Sequence, residues 1–306
     1  MLQVVLTAAL ATVLSGAFDA ERKRPNGAAP AIAATYSQPL RVMSYNIRVH
    51  TQSDGNNDWT HRRDMVAGVL RFHQADIACL QEAYADMIGD LAVRLPDHAW
   101  YGVGTSDGAT GGAHNPVFYR ASRFRLIGSE TFWLSSTPAT PGLGWDAAFP
   151  RAATHVELMD LYSGRALHVF NVHFDHEGKR AREESAKLLR ERVRKVAGAA
   201  VVAGDFNSNR QEQPWRTMTE SGLLDARDAS LTGHFGLSTT FNDFESIWRT
   251  NATIDFIFVT PGLTVQQEGV PCTVFDGRHA SDHFPVLAEI RHSPDKSPPV
   301  VRRSKG

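Results

Sequence analysis

Cysteine is nearly missing from this sequence: 306 residues contain two, Cys79 and Cys272. That count excludes a disulfide scaffold and a cysteine zinc cluster, so stability has to come from an apolar core. Cys79 lies in the apolar run Ile77-Ala78-Cys79-Leu80 and reads as a small core residue. Cys272 follows Pro271 in a loop, and both thiols are expected to be free. An excess of one charge is also missing. Lys and Arg total 32 against 33 Asp and Glu, a formal net charge of -1. Such a surface has no global attraction for polyanions, which argues against avid nucleic-acid binding but leaves room for a local basic pocket around one phosphate. No stretch reaches the ~20 uninterrupted apolar residues of a bilayer-spanning helix, so no transmembrane anchor is expected. The longest apolar run, Leu2 to Leu14, is followed by Ser15-Gly16-Ala17. Despite an n-region without Lys or Arg, residues 1–17 read as a secretory signal, which puts the expected location outside the cytoplasm, secreted or periplasmic.

What is present fits a folded globular chain: 42% hydrophobic and 21% charged residues, with 24 Gly and 15 Pro. Residues 18–39 are rich in alanine, charge and proline without apolar period, and read as a disordered lead-in. Residues 293–306 carry Pro294, Pro298, Pro299 and the basic Arg302, Arg303 and Lys305, and read as a flexible tail. Residues 40–292 are left as a single domain, expected to be monomeric. Within it, β-rich runs recur at Arg41–Asn46, Asp76–Gln81, Pro116–Tyr119, Thr154–Met159, Ala166–His173, Ala200–Gly204, Ile254–Val259 and Val286–Ile290. Several are apolar on both faces, as inner strands of packed sheets require. Amphipathic patterns predict one helix over Lys179–Val196, burying Leu189, Val193 and Val196, and another over His61–His73, burying Val66, Val69 and Leu70. The spacing Glu183/Lys187 and Glu191/Lys195 gives the first helix i,i+4 ion pairs on a solvated face rather than a nucleic-acid stripe. The fold class is α/β or α+β, rich in sheet.

Polar residues stand where these strands end: Asn46, Glu82, His173, then Asp205 with Asn207. Each alone has a plain explanation as a turn residue, helix-start carboxylate, satisfied histidine or loop cap. Repeated at strand ends they suggest one polar site, because charged groups there cost desolvation unless they pair or bind a cation. Hard oxygen donors without thiolates suit Mg²⁺, with Mn²⁺ or Ca²⁺ as alternatives, and a phosphate substrate.

The motifs Met43-Ser44-Tyr45-Asn46-Ile47-Arg48, Asp76-Ile77-Ala78-Cys79-Leu80-Gln81-Glu82, Asn171-Val172-His173-Phe174-Asp175-His176, Gly204-Asp205-Phe206-Asn207, Ile254-Asp255-Phe256-Ile257-Phe258 and Ser281-Asp282-His283-Phe284-Pro285-Val286 follow one another over residues 41–290. In this the chain resembles the DNase I-like endonuclease/exonuclease/phosphatase superfamily, which includes pancreatic DNase, exonuclease III, sphingomyelinases and inositol polyphosphate 5-phosphatases. The resemblance implies a four-layered α/β sandwich, two packed, mostly antiparallel sheets flanked by helices, with the site at one sheet edge. It also implies roles: Asn46, Glu82 and Asp282 as metal ligands or their neighbours, Asp205 and Asn207 as the pair that activates and positions water. His173 would bind phosphoryl oxygens, and His283, oriented by Asp255, would contact the phosphate. In-line attack by water needs such a set to neutralise the equatorial and leaving oxygens. His283 beside Asp255 should favour its cation, while Asp205 should stay ionised to take a proton.

A narrower resemblance, to bacterial metal-dependent hydrolases of the superfamily, lies in Phe132-Trp133-Leu134-Ser135, Gly144-Trp145-Asp146-Ala147-Ala148 and Pro150-Arg151-Ala152-Ala153-Thr154. Here Arg151 is the candidate phosphate clamp and Trp145 a candidate substrate-stacking residue, with a core position weighed equally for it. The chain departs from that group at Gly112-Ala113-His114-Asn115-Pro116, where a glutamate is usual. If that glutamate orients the histidine matching His173, then His114, Asp175 or His176 substitutes for it. The sequon at Asn251-Ala252-Thr253 abuts a core strand and reads as accidental. The sequence is thus expected to encode a metal-dependent phosphodiesterase or phosphatase acting on a small phosphoester, nucleotide or lipid headgroup. A nonspecific nuclease and a sphingomyelinase-like phospholipase are the enzymatic alternatives, and a catalytically silent phosphate-binding protein the non-enzymatic one.

Overall fold

The computed structural model describes residues 38–245 and 252–293. The expected signal, most of the lead-in, all of the tail but Ser293, and Asn251 lie outside the described residues. The chain enters with β1 (Leu40–Asn46), makes a 3-10 turn at Gln52–Asn57, and continues through α1 (Trp59–Phe72), β2 (Ile77–Gln81), α2 (Ala85–Arg94), β3 (His98–Tyr101) and β4 (Val117–Arg120). Next come β5 (Phe124–Trp133), β6 (Ala152–Asp160), β7 (Arg165–His173), α3 (Lys179–Lys195), β8 (Ala199–Asp205) and α4 (Gln213–Thr219). The last part holds β9 (Leu224–Asp225), the short α5 (Ala226–Ala229), β10 (His234–Gly236), β11 (Asp255–Val259), β12 (Leu263–Val270), the hairpin β13 (Val274–Phe275) and β14 (Arg278–His279), and β15 (Val286–His292).

The strands form a seven-stranded sheet in the order β10-β12-β15-β1-β2-β4-β3 and a six-stranded sheet in the order β5-β6-β7-β8-β11-β9. Pairing is antiparallel except at β1/β2, β10/β12 and β7/β8. Two of these parallel pairs are joined through a helix, β1-α1-β2 and β7-α3-β8, as a crossover between parallel neighbours requires. Each crossover brings two strand C-termini to the same sheet edge.

Alternate side chains of a strand point to opposite faces, so a strand buried on both sides supplies two cores. Val42, Cys79, Val169, Val201, Ile257 and Ala288 pack between the sheets. On the outer face of the first sheet, Met43, Tyr45, Leu80 and Phe118 meet Val66, Val69 and Leu70 of α1 and Met87 and Leu91 of α2. On the outer face of the second, Phe170, Val172, Val202 and Phe258 meet Leu189 and Val193 of α3 and Met218 of α4. The result is the four-layered, mostly antiparallel sandwich that the resemblance implies. Each fully buried side chain of this kind contributes on the order of 2 kcal/mol. Cys79 is buried, Cys272 is exposed, and both are free. Among the described residues no helix is long and apolar enough to cross a membrane.

Two details differ from expectation. On α3, Lys187 pairs with Glu184 at 2.8 Å rather than with Glu183, and Arg192 reaches Glu130 of β5 at 3.3 Å. An i,i+3 partner is as close on a helix surface as i,i+4, and a neighbouring strand offers a third choice. The polar strand β5 lacks an apolar run: its burial alternates, and its register slips between Leu126 and Gly128. It is an edge strand, with one face in solvent.

Candidate active site

The parallel pair β1/β2 ends at Asn46 and Gln81-Glu82, and the parallel pair β7/β8 ends at His173 and Asp205, its last register pair. The antiparallel strand β11 begins where β8 ends, which sets Asp255 opposite Asp205. Antiparallel pairing of β15 with β1 brings Ser281 to His283 to the same edge, where Ser281 Oγ donates to Asn46 O at 2.7 Å. At Gly204, a Cβ would come within 2.1 Å of Val172 O, so only glycine lets β8 lie this close to β7 immediately before Asp205. Arg48, Glu82 and Asn207 adopt φ of 56°, 62° and 45°, in the left-handed region. Such residues cost of order 1–3 kcal/mol each and concentrate at functional sites.

His283 and Asp255 are buried and bonded, Nδ1 to Oδ2 at 2.9 Å, while His283 Nε2 faces Asp205 Oδ2 at 3.8 Å. Burial opposes a charge on His283, but Asp255, Asp205 and Asp282 together overcome it and hold the imidazole protonated, well above its ordinary range. Phe241 closes one side, edge-on to the ring at 5.1 Å. Asp205 is pushed up to about 7, first by burial and then by Asp255. His283, the Asn207 N–H at 2.8 Å and Asn46 Nδ2 at 3.0 Å resist this rise. Burial, and after it the Asp255 charge, therefore work against the ionised Asp205 that activation of water calls for. Asn207 Nδ2 donates to Phe174 O at 2.9 Å.

His173 is in the opposite state. Its Nε2 lies 3.5 Å from Asp205 Oδ2, and Arg151 Nη1 lies 2.9 Å from its Nδ1. Burial, Arg151, His283 and His176 push it well below the usual imidazole value, so it is neutral. Two histidines a few ångströms from one carboxylate thus carry different charges, set by what surrounds each.

Asn46, expected as a metal ligand or the neighbour of one, bonds both flanking carboxylates through its amide nitrogen and keeps a lone pair on Oδ1. Its Nδ2 donates to Glu82 Oε1 at 3.1 Å and to Asp205 Oδ2 at 3.0 Å, and its Oδ1 accepts from Arg48 N–H at 3.0 Å. It spaces two carboxylates. Glu82 Oε2 also accepts from Val49 N–H at 3.1 Å. Asp282 lies 3.1 Å from Ser281 Oγ, whose one proton it shares with the nearer Asn46 O, and faces Arg48 Nη1 at 3.7 Å. Burial raises the proton affinity of Asp282, cationic His283 opposes the rise, and the neighbouring charge of Glu82 adds to it. Glu82 and Asp282 both border the cleft and repel each other, the circumstance that a divalent cation with hard-oxygen preference relieves. Asp205, Asp255 and His283 also offer ligand atoms within 4.8 Å of one another. There, however, the His283 Nδ1 is already spent on Asp255.

These groups floor or border a cleft of about 600 Å³. Arg48, Glu82, Arg151, His173, Asn207, Asp282 and His283 line it, with Phe149, Phe241, Tyr84, Thr105 and Ser106 on its walls. Asn46, Asp205 and Asp255 are not part of that lining but are buried behind it. Trp145 does not line the cleft either: it sits in a turn closed by Ala147 N–H to Gly144 O at 2.8 Å. Phe149 has the aromatic place instead, 5.7 Å from the His176 ring and nearly parallel to it. Of the three substitutes considered for the missing glutamate, Asp175 at 3.3 Å and His176 at 3.1 Å both bond Arg151, and it is Arg151 that meets the His173 ring. His114 Nδ1 turns instead to Gly112 O at 3.1 Å. Arg48 was missed by sequence reasoning, although its place two residues after Asn46 was a usable signal. It is clamped by a two-toothed bond to Asp54 at 2.9 and 3.0 Å. A larger depression of about 770 Å³, lined by Arg41, Arg71, Arg94, Arg120 and Arg123, lies at the other end of β1 and β2. Its arginines are committed to Asp64, Asp76, Asp90, Asp160, Glu289 and the Arg94 carbonyl, so it lacks convergent chemistry.

The sequence matches the Endonuclease/Exonuclease/phosphatase family over residues 43–283. An endonuclease/exonuclease/phosphatase from Bacteroides vulgatus is 34% identical, superimposes with a TM-score of 0.80, and aligns over 83% of this chain and 99% of its own. The mannosyl-6-phosphatase of Bacteroides thetaiotaomicron is also 34% identical, with a TM-score of 0.77 over 82% of this chain and 99% of that one. The human Nocturnin catalytic domain, at 22% identity and a TM-score of 0.64, shares the fold over 83% of this chain and 94% of its own.

Proposed function

Since this chain belongs to the Endonuclease/Exonuclease/phosphatase family, we propose that it is a metal-dependent phosphoester hydrolase, and that it prefers a monoester of a small polar alcohol such as a sugar phosphate. The observation that carries the reading is His283, held charged between Asp255 at 2.9 Å and Asp205 at 3.8 Å on the floor of a cleft that also receives Arg151. A buried cation beside a carboxylate whose proton affinity has been lifted to about 7 is a pair suited to a reaction that moves a proton and builds negative charge. Water adds to phosphorus and gives its proton to Asp205, while Asn207 orients it; the ester P–O bond opens opposite, and the departing oxygen takes a proton from solvent and leaves as the alcohol. His283 and Arg151 balance charge on the phosphoryl oxygens, and neutral His173 offers them a hydrogen bond without a second buried cation. Glu82 and Asp282 would hold the divalent ion, Mg²⁺ by their chemistry, with Asn46 keeping Glu82 and Asp205 apart. The ion supplies positive charge for the phosphoryl and leaving oxygens.

Preference for a small monoester rests on two supports. The cleft is walled by Thr105, Ser106, Tyr84 and Phe149 and has a volume of about 600 Å³, the scale of a small ligand. A 34% identical relative is a mannosyl-6-phosphatase. The near-neutral net charge of -1 disfavours a duplex substrate. Export through residues 1–17 belongs to the same proposal, and appearance of a shortened chain in the medium or periplasm tests it. The activity is tested on sugar phosphates, p-nitrophenyl phosphate, bis-p-nitrophenyl phosphate, sphingomyelin and plasmid DNA with Mg²⁺, Mn²⁺ or EDTA, beside folded His283→Ala. Metal-dependent release of phosphate from a sugar phosphate, lost in the variant, is the expected result. Turnover of DNA or sphingomyelin alone would overturn the substrate class, and no turnover of anything would overturn the enzyme reading.

A further inference from the structure

We propose that Asp175 is a positioning residue that fixes Arg151 and Phe149 in the cleft and thereby sets how tightly a phosphoryl group is held. The inference rests on the reading of this cleft as a phosphoester site. Asp175 follows His173 by two residues and is buried, with 1% of its surface exposed. Its two oxygens divide their work. Oδ1 accepts from the backbone of Ala148 at 3.1 Å, Glu177 at 3.1 Å and Gly178 at 2.8 Å. Oδ2 accepts from Phe149 N–H and from Arg151 Nε, each at 3.3 Å. One oxygen therefore organises the entry to α3, and the other holds two residues that line the cleft. Burial alone would raise this carboxyl, but the backbone donors and Arg151 outweigh it and keep Asp175 ionised.

The same two segments are stitched a second time in the opposite direction. Asp146 accepts from Ala181 N–H at 2.6 Å and Arg180 N–H at 3.2 Å in the first turn of α3. Residues 146–151 are thus anchored to the α3 entry at two points, which removes the freedom that the long connection between β5 and β6 would otherwise give Arg151. With Nε tied to Asp175, the guanidinium turns its Nη edge to His173 at 2.9 Å and His176 at 3.1 Å, with the Phe149 ring 5.8 Å away. A guanidinium fixed at Nε presents its remaining donors as a preformed fork for phosphate oxygens, and a preformed fork loses little entropy on binding.

A purely structural role for Asp175 is separable by experiment, because the oxygens differ. In Asp175→Asn the three donors on Oδ1 dictate that the amide oxygen stays there. The amide NH₂ then stands where Phe149 N–H and Arg151 Nε–H point, donor against donor. Inorganic phosphate binding is measured by calorimetry for the full chain, Asp175→Asn, Arg151→Ala and the double variant. Melting temperature is recorded in parallel, as are kcat and KM on whichever substrate of the panel is turned over. We expect Asp175→Asn to weaken phosphate about tenfold. We also expect it to lower kcat about tenfold or more. Adding Arg151→Ala to it should cost less than Arg151→Ala alone, the mark of two residues acting as a unit. Phosphate affinity unchanged by Asp175→Asn, strict additivity of the two changes, or no phosphate binding by the unaltered protein would each overturn the proposal. Should Asp175→Asn not fold, Arg151→Lys makes the same cut from the other side, since it keeps the charge but has no Nε–H; native phosphate affinity in it overturns the proposal equally. The binding arm does not depend on turnover, so a failed activity panel and a failed positioning role are distinguishable.

Discussion

His283 donates from Nδ1 to Asp255 Oδ2 at 2.9 Å, inside the protein and 28 residues away along the chain. The carboxylate, more than any other group, offsets the cost of a buried imidazolium. Asp255→Asn keeps a hydrogen-bonding group of the same shape but removes the charge. We expect kcat to fall about a hundredfold or more, the range of a lost charge-stabilising donor, with the circular dichroism spectrum unchanged. Combined with His283→Gln, the loss should be no larger than for either change alone. Native kcat in Asp255→Asn removes His283 from the reaction.

Glu82 and Asp282 stand close enough for one charge to raise the other's proton affinity. A divalent cation that binds them stabilises the folded chain by mass action, about 2.7 kcal/mol at a hundredfold excess over Kd. Thermal melts in Mg²⁺ against EDTA should therefore show a rise in Tm that Glu82→Gln largely abolishes. Equal melts in Mg²⁺ and EDTA would mean that no such cation is held, and a rise that survives in Glu82→Gln would place it elsewhere.

Arg62 of α1 is wholly buried, and its guanidinium donates to the carbonyls of Ile47 at 2.8 Å, Ala280 at 2.9 Å, Arg48 at 3.3 Å and to Asn57 O. It ties the segment after Asn46 to the segment before Asp282. Arg62→Ala leaves several buried carbonyls without donors, each costing about 1–3 kcal/mol. We expect a loss of about 3 kcal/mol or more, read from the urea midpoint. Activity should fall even in the fraction that stays folded, because Arg48 and His283 lose their common tether. Stability within ~0.5 kcal/mol of native contradicts this.

His98 is held below the ordinary imidazole value by burial, with Ala75 O bonded to its Nε2 at 2.9 Å. On acidification the unfolded chain takes this proton before the folded one does. The stability that neutral His98 permits is therefore complete above about pH 6.5 and declines as pH falls toward its lowered value. Buried Asp225 and Glu268, whose proton affinity is raised by burial, act in the opposite sense. The histidine share is read as a difference. Between pH 6.5 and 5, native protein should lose more unfolding free energy than His98→Asn, and a steeper loss in the variant reverses the sign.

The strands that hold the site were legible because they are the inner ones. β1, β2, β7, β8 and β11 are buried along most of their length, so their sequences are largely apolar runs that end abruptly at Asn46, Glu82, His173 and Asp205. β5 and β12 were not, since Arg125, Ser129 and Glu130 in one, and Gln266, Gln267 and Glu268 in the other, hide strands whose registers also slip. α2 was missed because its ten residues, Ala85–Arg94, offer only a short apolar face of Met87, Ile88 and Leu91. In the site, Trp145 was expected at the substrate on its chemistry, yet chemistry says nothing of which way a turn carries it. Phe149 reaches the cleft because Asp175 holds its backbone.

By itself the sequence determined that there would be inner strands buried on both faces, amphipathic helices between them, and a set of carboxylates, amides and histidines at strand ends. Those are properties of local periodicity and of side-chain type, which neighbours along the chain reveal. It could not determine that Asn46 would give its amide N–H to Asp205, 159 residues away. Nor could it determine that His173 would be neutral and His283 charged, or that Asp205 would be lifted to about 7. Proton affinity and hydrogen-bond partner depend on which groups packing brings within a few ångströms and how much water it removes. Those distances exist only once β1, β8 and β11 from two different sheets have met at one edge.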